Sequence, residues 1–158
     1  MNAKIMIGLV SVAVLTCFAV ATALATPPSG LVGTPLARGG AAELKMYDRS
    51  ERLKLVAKEP TDIPLVRATL APNGYTGWHG HAGPSLVIVN SGELTMYEPG
   101  KRTCDAQTFG AGTAFVHPEG AHNFVAGAAG AEFYIVYFVP AGASPAPIDV
   151  TPAPEPCT

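Results

Sequence analysis

Charge is what this chain has least of. Asp, Glu, Lys and Arg make up 14% of its 158 residues, ten basic against twelve acidic, and no basic cluster occurs. A phosphate backbone is gripped by many Lys and Arg on one face, so nucleic acid is not an expected partner. The shortage of charge beside 48% hydrophobic residues also excludes a chain disordered throughout, because that much apolar side chain builds a core for one domain. Cysteine is nearly as scarce, with Cys17, Cys104 and Cys157 only.

A long apolar run lies at the N-terminus. Lys4 precedes Ile5 to Val20, and the small residues of Ala23-Leu24-Ala25 follow. A basic start, an apolar middle and a small-residue end form the pattern of a secretory signal peptide over residues 1–25. Thr26-Pro27-Pro28-Ser29-Gly30 then keeps the chain extended and accessible, so cleavage is expected after Ala25. Two other readings stay open. One is an uncleaved anchor, since the run stretches to roughly the 20 residues that span a bilayer. The other is lipidation at Cys17, against which the bulk of Thr16 counts. With the leader removed, the protein is expected to be secreted or periplasmic and to make no stable membrane contact. Cys104 and Cys157 then remain, and in an oxidising compartment such a pair reads as one disulfide. It would tie the C-terminal tail to an interior loop, a long closure worth about 4 kcal/mol on chain-entropy arguments.

Residues 26–52 read as a linker and N-terminal segment. Pro27, Pro28, Pro35 and several glycines give residues 26–40 a linker composition, and Ala41 to Arg52 fits one short helix with Leu44 and Tyr47 on a common side. From Leu53 to Pro140 the signals are β. Leu53 to Ala57 and Leu65 to Leu70 are short and partly alternating, and the "APNGYTG" that follows is turn chemistry. Leu86 to Val89 is aliphatic, Asn90-Ser91-Gly92 reads as a hairpin turn, and Glu93 to Tyr97 alternates again. Thr113 to His117, His122 to Val125 and Phe133 to Val139 complete the set. The last, "FYIVYFV", is apolar on both faces, so it must be covered on two sides. About eight short strands with regular turns predict an all-β fold, an antiparallel double-sheet β-barrel or jelly roll over residues 53–140. The Pro-rich tail, residues 141–158, is expected to wrap the outside.

The chemistry is carried by histidine. Strand alternation puts His79 and His81 on one face with Gly80 on the other, which is half of a metal site or merely two polar residues at a solvated strand start. The surrounding pattern resembles the cupin superfamily, whose first motif runs His-x-His, three residues, Glu, six residues, Gly. Here His79 and His81 are followed by Ala82-Gly83-Pro84, then Ser85 in place of the glutamate, then six residues to Gly92. The second motif, Gly, five residues, Pro-x-Gly, two residues, His, corresponds to Gly112, Thr113 to His117, Pro118-Glu119-Gly120, Ala121 and His122, one residue short, with Ala126 where an asparagine is expected. "TGWHGHAGPSLVIVNSGELTMYE", "GAGTAFVHPEGAH", "FVPAGA" and the closing "PCT" are similar to a group of small single-domain cupins with a His-x-His-x-Gly-Pro core, in which two late cysteines recur.

The resemblance implies an antiparallel barrel of six or eight strands with a divalent metal inside, held by His79, His81 and His122. It also implies a small-molecule ligand or substrate, and pairing of two chains into a homodimer. Ser85 in place of a carboxylate leaves three neutral imidazoles around the ion, a set that suits Zn, Ni, Cu or Fe and makes bound water more acidic. Ser85 itself could contact such a water. Oxalate-degrading and manganese-dependent activities of better-known cupins are therefore not carried over. Glu93, Glu98 and Glu119 are candidates for the missing charge, with Glu98 read as facing solvent beside Pro99-Gly100. His117 alternates against Ala114 and Val116 and is read as a rim histidine on the opposite face from the interior. Trp78 is read as core, pointing away from the metal, while Tyr134, Tyr137, Phe115, Phe124 and Phe133 could line a pocket or simply fill the barrel. Two functions follow: an exported metal-dependent enzyme, or a non-catalytic barrel that captures a small ligand without a functional metal. Intact mass of the exported protein checks the leader; a mass beginning at Thr26 is expected, and one retaining Lys4 would contradict cleavage.

Overall fold

A computed structural model describes residues 27–100, 103–150, 153, 154 and 157; the expected leader, residues 1–25, and Cys17 lie outside them. The elements in order are β1 (Ser29–Ala41), β2 (Leu44–Asp48), β3 (Leu53–Ala57), β4 (Thr61–Tyr75), β5 (His79–Gly80) and β6 (Ser85–Pro99). They continue as β7 (Cys104–Gly110), β8 (Ala114–His117), β9 (Asn123–Tyr137), β10 (Val139–Pro140) and β11 (Ile148–Asp149). All pairings are antiparallel. Among the described residues no helix is long and apolar enough to cross a membrane.

Three strands of 15 residues each, β4, β6 and β9, lie side by side and form the frame. The main sheet runs β1-β4-β9-β6-β7, with β8 joined to β6 and β10 to β4. Each long strand departs from regular pairing part of the way along. On β4 the register slips between Leu70 and Tyr75, on β6 between Val89 and Leu94, and on β9 between Ala126 and Ala131. The slips stack across the sheet and let it fold over its own apolar face, enclosing Leu70, Val87, Val89, Leu94, Phe124 and Phe133. Bulges of this kind bend a strand without ending it.

This corrects the sequence reading in an instructive way. Asn90-Ser91-Gly92 is no hairpin turn but sits inside continuous β6, and "APNGYTG" runs as the last five residues of β4, Ala71 to Tyr75, followed by Thr76 and Gly77. The turn chemistry is used as expected, with Gly92 at φ 75° and Asn73 at φ 57°. The partner differs, because both halves of β6 pair with β9 rather than with each other. Gly92 is required for a second reason: a Cβ there would run into the Gly130 carbonyl, and one on Gly130 would lie 2.7 Å from the Leu70 carbonyl oxygen.

The N-terminal segment is also corrected. Residues 29–41 are not a linker but the edge strand β1, paired with β4 from Ser29 to Ala41. Pro35 is tolerated because an edge strand has one side on which no N–H is needed, and the register slips just after it. Residues 41–52 form no helix: β2 and β3 make a hairpin. Asp48 Oδ1 accepts from the Ser50 and Glu51 amides at 2.8 and 3.1 Å, an Asx-type turn that takes over the backbone donors a helix would have used.

The disulfide between Cys104 and Cys157 is present, spanning 53 positions with Cα atoms 4.8 Å apart. It points to a non-reducing compartment. The tail it anchors does not simply wrap the outside: Ile148 and Asp149 pair with Gly80 and His79, and the Val150 amide donates to the Trp78 carbonyl at 3.0 Å.

The bend predicts its own weak point. Gly92→Ala is expected to destabilise the protein by about 2 kcal/mol or more, from left-handed strain and the carbonyl contact together. A shift of the urea midpoint to lower concentration checks this, and an unchanged midpoint would contradict it.

Candidate metal centre

His79 and His122 are brought together by the backbone. The His79 amide donates to the His122 carbonyl at 3.0 Å and the His122 amide donates back to the His79 carbonyl at 2.9 Å. A directly opposed antiparallel pair presents both side chains on one face. His81 follows two residues along, so its ring joins them. Ring centroids are 4.2 Å apart for His79 and His122, 4.9 Å for His79 and His81, and 5.0 Å for His81 and His122. One nitrogen from each lies within 4.8 Å of the other two, and all three residues are buried.

The hydrogen bonds say which nitrogens are free. His79 Nδ1–H donates to the Gly77 carbonyl at 2.9 Å, and His122 Nδ1–H donates at 3.3 Å to the Gly120 carbonyl. Each ring is thereby fixed in the tautomer that leaves an Nε2 lone pair, the usual supporting arrangement for a metal-binding histidine. His122 Nε2 and His81 Nδ1 are buried with no hydrogen-bond partner. Buried polar atoms are rarely left so, and a cation satisfies them; the donor set fits a divalent ion with open positions.

Burial keeps the rings neutral. Removal from water lowers the His81 pKa to about 3 and that of His122 to about 2, with the neighbouring imidazoles adding to both shifts. The His79 pKa is lowered by burial too, against the pull of the Gly77 carbonyl. Neutral imidazole is the ligand form.

Two residues take unexpected places. His117 is not on the rim: it is 1% exposed, and its ring lies 3.8 Å from that of His122. The strand phase is the reverse of the expected one, since Val116 is 68% exposed while Phe115 packs against the core. Glu98, read as solvent-facing at a turn, is within β6, and its Oε1 lies 3.2 Å from His117 Nε2 with its side chain 38% exposed. The two are near enough for an ion pair but off the line of a hydrogen bond. Burial lowers the His117 pKa while Glu98 opposes the shift. Sequence reasoning missed this pair because alternation fixes which residues share a face, not which face is inside.

His79 and His81 open onto a cavity of about 500 Å³ that Ser85 and Tyr137 also line, with apolar walls, while the fully buried His122 is not among the lining residues. Ser85 is buried and lies directly opposite both Tyr137 on β9 and His117 on β8. Tyr137 packs edge-on against His81 at 4.9 Å, and burial pushes its phenol up to about 12. Phe124 and Phe133 also line the cavity, while Phe115 stacks on Phe109. Trp78 is buried outside the main core cluster.

The metal-free protein should lose stability in acid. In the unfolded chain these imidazoles take up protons near 6.5, whereas His81 and His122 in the fold resist until about 3 and 2. Between those limits the unfolded state binds more protons, so stability rises with pH. The apparent melting temperature is expected to fall steadily as pH drops below about 6.5, less so in His122→Leu; a flat profile in the wild type would contradict the burial of neutral rings.

Structures of oxalate decarboxylase share this architecture. The enzyme from Bacillus subtilis at pH 4.6 superposes with a TM-score of 0.50 at 19% identity, over 56% of this chain and 24% of that one. A structure from work on the Mn(II) centres of the same enzyme gives 0.50 at 20% identity, and a substitution mutant gives the same values, both over the same shares. The match thus takes in about a quarter of the decarboxylase chain. No protein-family model and no curated protein matches. The chain has the cupin fold.

Proposed function

We propose that this is an exported cupin in which His79, His81 and His122 hold one divalent ion, and that a small molecule entering the cavity is bound or transformed beside it. The observation that carries the reading is the set of three buried neutral imidazoles, two with Nδ1 tied to a backbone carbonyl and two nitrogens left without partners. An all-imidazole set favours Zn, Ni, Cu or Fe; manganese, present in the oxalate decarboxylase neighbours, is better served by carboxylate oxygen. When bound, such an ion supplies Lewis acidity and lowers the pKa of water. The chain's own part is to orient the rings through Gly77 and Gly120, exclude bulk water with apolar walls, and offer the Ser85 and Tyr137 hydroxyls to the ligand.

Capture without turnover is favoured by a specific feature. No carboxylate lines the cavity among the described residues, so no acid or base of that kind stands beside a ligand. Export is supported by the leader pattern and the disulfide. Homodimer pairing is supported by β1, an edge strand with Val32 and Leu36 exposed.

Elemental analysis of the protein purified without an affinity tag tests the reading: one ion per chain is expected. His81→Ala should weaken the affinity by more than about a hundredfold, and unchanged metal content in that variant would refute the site. A candidate molecule recovered unaltered from the loaded protein supports capture; its turnover supports catalysis.

A further inference from the structure

The strand register sorts the cavity wall into layers. Residues directly opposite one another on paired strands share a face, so each rung of the sheet contributes one row to the interior. The first row is Tyr137 on β9 and Ser85 on β6, both lining the cavity, with His117 on β8 opposite Ser85 but not itself part of the lining. Two residues along lies the second: Pro35 on β1, Val66 on β4, Ile135 on β9 and Val87 on β6. The third is Gly33, Ala68 and Phe133, with Val89 opposite Phe133 in the core beyond the cavity lining. Polar groups are thus confined to one end, beside the imidazoles, and two successive rows beyond it carry no polar side chain.

The remaining polar groups do not alter that division. Thr76 Oγ1 is committed to the fold, accepting from the Phe124 amide at 2.9 Å and donating to the Gly77 carbonyl at 3.1 Å. Ser144 Oγ accepts from the Ala146 amide at 3.1 Å. Pro35, Pro145 and Pro147 also line the cavity, and they have no N–H to give. Among the described residues no Lys, Arg, Asp or Glu lines the cavity.

From this layering we propose that the cavity takes an amphiphilic small molecule, with an oxygen-bearing head against the histidines, Ser85 and Tyr137 and an uncharged hydrocarbon body along the Val66, Ile135 and Val87 row. A small dicarboxylate does not fit the same wall. Oxygens not taken by the ion would carry charge toward aliphatic side chains with no cationic partner, a costly burial. The hydrocarbon body is what the second and third rows reward, at about 0.8 kcal/mol for each methylene removed from water. The head of the molecule rests on the metal reading given above; the body rests on the register alone.

Calorimetric titration of zinc-treated protein with 4-methyl-, 4-ethyl- and 4-propylphenol, and separately with oxalate, tests the inference. Affinity is expected to tighten about fourfold per added methylene, with oxalate weaker than 4-propylphenol. Val66→Arg, at a half-buried position on the wall, should reduce the 4-propylphenol affinity by about tenfold or more and favour oxalate instead. A flat alkyl series, or oxalate binding more tightly than 4-propylphenol in the wild type, would overturn the proposal. Zinc content measured on the same sample separates the two readings: a sample without zinc contradicts the metal site, while a loaded sample with a flat series contradicts the layered cavity alone.

Discussion

The reciprocal backbone pair between His79 and His122 is the contact on which the site depends. Its two hydrogen bonds, 3.0 and 2.9 Å, place two imidazoles on one face and fix the spacing from which His81 joins them. Everything around the pair constrains it further. On one side the tail strand β11 is hydrogen-bonded to β5, and the tail is tied by the disulfide to the start of β7. On the other, His122 leads directly into β9, the strand shared by both halves of the sheet. A short two-residue strand has little stability of its own; here it is held between elements that do.

Burial then sets the chemistry. A neutral imidazole in an apolar enclosure has a lone pair, a fixed tautomer and no competing proton, and each of these comes from packing rather than from the histidine alone. Ser85 removes the carboxylate that would otherwise sit in the first row of the wall. Tyr137 and His117 lie directly opposite it on the two flanking strands, and of these Tyr137 lines the cavity. Glu98 provides negative charge near His117 yet is not among the cavity-lining residues, so among the described residues the cavity wall carries no Asp, Glu, Lys or Arg.

Much of this was legible in the sequence. Alternation put His79 and His81 on one face, the family pattern added His122, and export logic paired Cys104 with Cys157. The failures share a cause, in that local chemistry was read correctly and its long-range partner was not. Asn90-Ser91-Gly92 has the dihedral preferences of a turn, but whether such residues reverse a chain or bend it depends on which strand lies alongside, and β9 is more than thirty positions away in the chain. Asp48 looks like part of a helix until its side chain captures the next amides. His117 was misplaced because Val116 is the more aliphatic neighbour, while Phe115, stacked on Phe109, decides the phase. The edge strand β1 was hidden by Pro35, whose missing donor matters only when both sides of a strand are paired.

X-ray absorption at the zinc edge of the metal-loaded protein tests the central claim most directly. The account predicts three nitrogen scatterers at about 2.0–2.1 Å with the outer-shell signature of imidazole, dropping to two when His81 is replaced by alanine. A first shell of oxygen without imidazole scattering, or one unaltered by that replacement, would contradict it.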